Sequence, residues 1–236
     1  MGWLLGMGGN YPAQETGATR NTNILRIPSA VGYHVPMAYT YSPRIFDAPS
    51  LEAAMRIILT PQGGQDSEER WKRETPYLAE LIGQAAGLSQ GQLVLDYGCG
   101  IGRLAKELMG RFGVRVVGVD ISRNMRSLAP VYVDSDAFCS VSPVILDTLI
   151  AQGVRFDAAL SIWVLQHCAR PLQDIARIHA ALCDGGQLMA VNGIGRAVPT
   201  REGKWANDGI DIRKELHDRL EHVDSGQLDP AIVGDN

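Results

Sequence analysis

Leu93-Val94-Leu95-Asp96-Tyr97-Gly98-Cys99-Gly100-Ile101-Gly102-Arg103 is the stretch whose reading decides the fold. Leu93, Val94 and Leu95 are consecutive apolar residues, as expected of a parallel strand covered on both faces. Gly98, Gly100 and Gly102 carry no Cβ, so the chain can turn tightly and a ligand can lie against its backbone. Leu104, Ala105, Leu108 and Met109 follow at helical spacing. Such a loop presents free N–H groups at a helix N-terminus, where a negative ligand group is favoured. The plain alternative is a strand–turn–helix with convenient glycines.

Outward from this stretch, residues 114–119 form a β-branched run ending in Asp120. A carboxylate at the end of a second strand can accept two hydrogen bonds from a ribose diol. It can equally cap the helix that begins near Ser122. A dinucleotide fingerprint would need G-x-G-x-x-G. Here the third glycine comes one residue early, and Arg103 stands in the expected place. Residues 138–141, 155–163 and 187–192 read as further strands, and residues 124–133 and 172–182 as helices. Asp184-Gly185-Gly186 reads as the end of the second of these helices.

The pattern D-x-G-x-G-x-G, as Asp96-Tyr97-Gly98-Cys99-Gly100-Ile101-Gly102, resembles the first motif of class I S-adenosylmethionine-dependent methyltransferases. Residues 155–163 resemble the fourth motif, and Leu182-Cys183-Asp184-Gly185-Gly186-Gln187-Leu188 resembles the turn before the fifth strand in the small-molecule branch. The resemblance covers residues 66–192. It implies an α/β fold: a doubly wound, mostly parallel Rossmann-like sheet with helices on both faces. It implies S-adenosylmethionine as cofactor and a methyl group passed to an O, N or C atom of a small-molecule acceptor. By the same resemblance, Gly98, Gly100 and Gly102 lie under the methionine moiety and Asp96 fixes their loop. Asp120 holds the ribose, Ile121 flanks adenine, and the backbone near Ser161 lies beside the methionine end. Ser142 stands near where family members often carry an acid for the adenine amino group. Two other classes stay open: an NAD-dependent oxidoreductase, and a module that binds the cofactor without catalysis.

Trp163 and His167 fall just beyond a strand's carboxyl end, where ligands bind in open α/β sheets. His167 is the candidate general base, since an imidazole titrates near neutral pH. Its alternative is to pack or orient. Trp163 reads as a pocket wall or helix anchor.

The chain has 22 basic and 26 acidic residues, a net charge of -4, and no long basic run, so a nucleic-acid footprint is not expected. Its four cysteines are scattered without a C-x-x-C, which argues against a zinc site or a disulfide framework. No metal is expected. No stretch reaches the apolar length of a membrane span, and the first ten residues lack the basic start of a signal peptide. A cytoplasmic protein is the default expectation.

Residues 1–65 read as a variable N-terminal segment, and residues 66–236 as the cofactor-binding domain. Residues 6–29 are rich in Gly, Asn, Thr and Pro, and disorder is expected there. In residues 31–46, Tyr33, Tyr39, Tyr41 and Phe46 alternate with prolines, as in a lid or a segment packed on the sheet. A short helix is expected over residues 50–59. Asp66 with Glu69 reads as a capping box, followed by a helix that Pro76 kinks or restarts. On it, Trp71 or Arg73 either touches the methionine end of the cofactor or serves the fold. After Asn192 one helix, residues 212–223, and the short apolar run 231–233 remain, too little for a seven-stranded sheet. An incomplete edge invites a partner, so a homodimer is expected. Trp205, in a polar loop after the fifth strand, either touches substrate or faces solvent.

Overall fold

In the computed structural model, which describes residues 2–8, 39–62 and 64–233, the quoted stretch supplies an interior strand of a seven-stranded sheet, next to the central one. The elements in chain order begin with β1 (Gly2–Gly8), α1 (Leu51–Ile58), α2 (Ser67–Ala85) and β2 (Leu93–Tyr97). They continue with α3 (Arg103–Phe112), β3 (Arg115–Val119), α4 (Arg123–Val133), β4 (Phe138–Val141) and α5 (Pro143–Ala151). Then come β5 (Phe156–Ile162), α6 (Pro171–Ala181), β6 (Leu182–Gly193), β7 (Val198–Pro199) and β8 (Trp205–Ala206). The last are α7 (Ile212–His217), β9 (Glu221–Gln227) and α8 (Pro230–Val233).

The sheet order is β4-β3-β2-β5-β6-β1-β9, and the first five strands are parallel. Successive side chains of a strand point to opposite faces, and the sequence exploits this. Val94, Val116, Leu160 and Val191 bury on one face, beneath α2 and α3. Leu95, Val117, Ala159 and Ala190 bury on the other, beneath α5 and α6. Each such aliphatic side chain contributes about 1.5–3 kcal/mol when fully buried. The doubly wound, mostly parallel α/β fold is therefore the one the sequence implied.

The N-cap readings hold. Asp66 accepts from the N–H groups of Glu68 and Glu69 while the Glu69 carboxylate accepts from the Asp66 N–H, a reciprocal capping box. The helix expected over residues 50–59 is α1, and Ser50 is its N-cap, accepting from the Ala53 N–H. Pro76 does not divide α2, which runs unbroken through it.

Three expectations are corrected. Gly6–Gly8, read as the start of a disordered stretch, belong to β1, which pairs antiparallel with both β6 and β9. The sheet is thus complete, and the uncovered edge of β6 on which a homodimer was expected is occupied by β1. The helix expected over residues 212–223 ends at His217, because residues 221–227 are drawn into the ladder with β1. The Asp184–Gly186 turn is a bulge within β6: the register jumps between the Phe156–Leu182 and Ala158–Gln187 pairs, with Gly185 at φ +76°. The expectations for residues 9–38, including Tyr33, lie outside the described residues. Among the described residues no helix is long and apolar enough to cross a membrane.

Removing residues 1–8 should leave β6 and β9 without their common partner. If β1 contributes about 2 kcal/mol, the thermal midpoint should drop by roughly 4–8 °C in a chain of this length. An unchanged midpoint by circular dichroism would show that the strand adds nothing to the fold.

Candidate functional site

The carboxyl ends of β2, β3 and β5 open into a cavity of about 410 Å³, a size typical of small-molecule sites. Its floor is the glycine loop. The N–H groups of Gly98 and Cys99 both donate to the Val119 carbonyl, at 2.7 and 3.0 Å, and the Gly100 N–H donates to Asp120 Oδ2 at 2.9 Å. Gly98 sits at φ +85°, and a Cβ there would lie 2.2 Å from the Val164 side chain. Gly100, at φ +54°, would place one 2.7 Å from Ile58. Only glycine permits both the backbone angle and the close approach. Gly102 adopts the same left-handed form as the N-cap of α3.

Two acids hold this loop in different ways. Asp96 is 4% exposed and accepts from the Ala105 N–H. Burial pushes its carboxyl up to about 7, against the pull of Arg103. Asp120 accepts from the Gly100 and Ser122 N–H groups through different oxygens, so each oxygen keeps a lone pair for another donor. Burial raises its pKa as well, opposed by those two N–H bonds. Ile121 is 52% exposed at the cavity wall rather than packed in the core. Ser122 is the N-cap of α4.

Arg103 lines the cavity although it is 4% exposed. Its guanidinium lies 5.5 Å from the centroid of the Trp71 ring and donates to Thr75 Oγ1 at 3.3 Å. No other hydrogen bond from it is made among the described residues. Burial lowers its pKa to about 10, so it stays charged at neutral pH.

A strap crosses the cavity. At one end the Ser42 N–H donates to the Pro199 carbonyl and Thr40 accepts from Arg201. At the other, Asp47 Oδ1 accepts from the Ser122 hydroxyl at 2.5 Å. Tyr41 and Phe46 line the cavity from this strap, as the lid reading of those aromatics proposed. Burial raises the Tyr41 pKa further, so its hydroxyl remains a donor.

Beyond β5 the chain turns at Trp163, a bulky residue held at φ +62°. Such strain at a strand end is a mark of functional sites. The Trp163 indole N–H is buried and has no acceptor among the described residues. His167 lies in the following single 3₁₀ turn, and both of its ring nitrogens are engaged. Nδ1 lies 2.6 Å from the Ala197 carbonyl, so it carries the proton, and Nε2 accepts from the Gln166 amide at 3.1 Å. Burial lowers its pKa, and the nearby Arg196 adds to this. The ring is thus neutral with its lone pair occupied. That counts against the general-base reading and for its alternative, an oriented wall residue. Arg196 rivets the turn: it donates to the Leu165 and Cys168 carbonyls at 2.6 Å each and pairs with Asp208 at 2.9 Å.

The other candidates fall outside the cavity wall. The Ser142 hydroxyl caps α5 by accepting from the Ile145 N–H, and its neighbour Pro143 is the residue that faces the cavity. Ser161 is fully buried within the sheet, opposite Ala190, while Ile162 and Trp163 reach the cavity. Trp71 donates to the Tyr132 hydroxyl and Arg73 to the Ala231 carbonyl, so both serve the fold. Trp205 contacts His167 and Phe46, at 5.3 and 6.4 Å between ring centroids. Sequence reading missed Arg103, Tyr97, Asp174 and Arg177. The Tyr97 hydroxyl donates to Asp174 and accepts from Arg177, a bond set that joins β2 to α6 at the cavity edge. Among the described residues no three His, Cys, Asp or Glu could hold a metal ion.

The sequence profile of a methyltransferase domain matches residues 67–225. The chain therefore belongs to that family, within the class I S-adenosylmethionine-dependent methyltransferases. The tRNA U34 carboxymethyltransferase of Alcanivorax borkumensis is 32% identical over 125 residues, 52% of this chain and 36% of that protein. The ubiquinone biosynthesis O-methyltransferase of Dinoroseobacter shibae is 32% identical over 101 residues, 42% of this chain and 40% of that protein. The chain thus spans well under half the length of these relatives. Haemonchus contortus phosphoethanolamine N-methyltransferase 2, solved with S-adenosyl-L-methionine, covers 70% of this chain and 40% of its own at 22% identity and a TM-score of 0.43.

The raised pKa of Asp96 has a signed consequence. Between the ordinary carboxylate range and about 7, the folded chain holds a proton that the unfolded chain has released. This contribution to stability is present at acid pH and lost as pH rises through about 7. The midpoint of wild type relative to Asp96→Asn should therefore fall as pH rises from about 4 to about 7 and level off above that, measured by thermal melts across that range. A parallel pair of curves would remove the claim.

Proposed function

We propose that the chain passes the methyl group of S-adenosylmethionine to a small-molecule acceptor within this cavity. The observation that carries the reading is the meeting of the glycine loop, the Asp120 carboxylate and the buried Arg103 guanidinium on one wall. The residues fit that cofactor. Gly98 and Gly100 line the cavity with bare backbone, Asp120 keeps spare lone pairs, and Arg103 and the Trp163 indole have donors without partners among the described residues.

When bound, S-adenosylmethionine supplies a methyl group already activated by its sulfonium. Arg103 then donates to the carboxylate at the methionine end, which neutralises a cation that is costly to bury alone. Asp120 accepts from the ribose hydroxyls while still holding the Gly100 N–H. Ile121 and Pro143 take the two sides of adenine, with the backbone at Ser142 behind them and the backbone at Ser161 beside the methionine end. Asp96 fixes the loop through the start of α3. The bound cofactor would supply that methyl group to a lone pair of the acceptor, with the electrons of the C–S bond left on sulfur, and this chain's residues would hold donor and acceptor in line. The protein's share is alignment and exclusion of water, which the strap and the rigid His167 turn provide. A cavity roofed by a strap, in a chain of net charge -4, favours a small acceptor over a nucleic acid.

Calorimetric titration with S-adenosylhomocysteine tests the cofactor arm. Asp120→Asn should weaken binding by about tenfold to a hundredfold, the loss of a charged hydrogen-bond acceptor, with circular dichroism unchanged. Failure of the wild-type chain to bind at all would overturn the proposal. Once an acceptor is found, His167→Gln should lower kcat by less than about tenfold and leave the pH profile intact, whereas loss of a general base typically costs 10²–10⁴-fold.

A further inference from the structure

Four of the residues lining the cavity are Phe, Tyr or Trp, in a chain that is only 6% aromatic. Their arrangement is more specific than that enrichment. Phe46 on the strap and His167 on the turn after β5 lie 5.6 Å apart between centroids, tilted by 51°. Trp205 on the β7–β8 ribbon contacts both rings. The three rings come from three separate segments, and each segment is tied down. The strap is held by Pro199 and Ser122, the turn by Arg196, and the ribbon by the same Arg196 through Asp208. The His167 ring is clamped at both nitrogens and cannot rotate freely. This is a preformed apolar wall, and Trp205 remains 51% exposed.

Polar groups around the wall restrict what it takes. The Tyr41 hydroxyl lines the cavity and makes no hydrogen bond among the described residues. Arg170 also lines the cavity and has no carboxylate partner among the described residues. Asp174, the nearest acid of α6, is already spent on Tyr97 and Arg177. A cationic acceptor would therefore meet an unneutralised guanidinium, and an oxygen-bearing or anionic one would meet two donors. An aromatic ring stacks on such a wall in offset or tilted geometry.

We infer that the acceptor is a planar aromatic molecule bearing a hydroxyl or carboxylate, held against the cavity-lining rings of Phe46 and His167, which Trp205 backs from outside the cavity, with an oxygen accepting from the Tyr41 hydroxyl. This rests on the methyl-transfer reading above and names its substrate class. The cofactor's adenine is the one other flat group at hand. Its place beyond Asp120, between Ile121 and Pro143, leaves the ring wall to the acceptor.

The test is binding to the full chain saturated with S-adenosylhomocysteine, followed by quenching of tryptophan fluorescence and by calorimetry. The probes are catechol, salicylate and caffeate, with cyclohexanecarboxylate and dimethylethanolamine as the saturated and cationic controls. The aromatic probes should bind and the controls should not. Trp205→Leu should weaken the aromatic probes by about threefold to tenfold, the worth of one ring contact, and leave S-adenosylhomocysteine affinity within about twofold. Tyr41→Phe should weaken catechol more than it weakens toluene, which has no oxygen to accept. Equal binding of cyclohexanecarboxylate, tighter binding of dimethylethanolamine, or no binding by any aromatic probe would overturn the inference. So would a loss of S-adenosylhomocysteine affinity in Trp205→Leu, since the wall would then belong to the cofactor. Because S-adenosylhomocysteine binding by wild type is measured first, its absence would count against the cofactor reading, and its presence without aromatic preference against the acceptor alone.

Discussion

The bond from the Gly100 N–H to the Asp120 carboxylate is the constraint on which the site depends. Together with the paired donation of Gly98 and Cys99 to the Val119 carbonyl, it locks the ends of two neighbouring strands to one loop. A backbone that turns through left-handed angles at Gly98, Gly100 and Gly102 has few ways to satisfy its polar groups internally. Here the end of β3 satisfies them. The same carboxylate also takes the Ser122 N–H, so the starts of α3 and α4 are set from one point. Arg103 and Ile121 reach the cavity because those two starts are where they are.

Around that point, most titratable groups are used to hold geometry rather than to move protons. His167 has both nitrogens bonded. Arg196 is buried and spends its donors on two carbonyls and Asp208. Tyr97, Asp174, Arg177 and Asp147 form a chain of bonds linking β2, α6 and α5. Burial keeps the Cys168 thiol protonated, so it is no nucleophile. A reaction whose donor arrives activated needs alignment more than acid–base assistance, and a rigid polar frame with a ring wall supplies it. Arg103 is the exception: a buried cation that faces the Glu74 and Asp96 carboxylates and still has donors left over for a ligand anion.

The parts of the molecule legible in the sequence are those whose signals are local. The two acids announce themselves because each stands at the end of an apolar run beside glycines. The cap at Asp66 is legible because a side chain bonds a backbone N–H two or three residues on. The parts that were not legible depend on partners far along the chain. Residues 2–8 carry no β-branched residue, and their strand exists only because β6 and β9 lie on either side of it. Residues 221–227 are all exposed and polar in character, so no period marks them, yet the ladder with β1 claims them over the helix expected there. Ser142 and Ser161 were read by position along the motif. Position does not reveal that one hydroxyl caps a helix and the other is enclosed in the sheet.

By itself the sequence determined the parallel core, the glycine loop and the two carboxylates that frame it, since apolar runs, missing Cβ atoms and strand-end acids act within a few residues. Only the tertiary structure decided what closes the cavity and what each polar group is free to do. The strap meets the turn with His167 and the ribbon with Trp205 across separations of more than a hundred residues. Whether a histidine is a base or a wall depends on which carbonyl and which amide the packed chain brings to its two nitrogens.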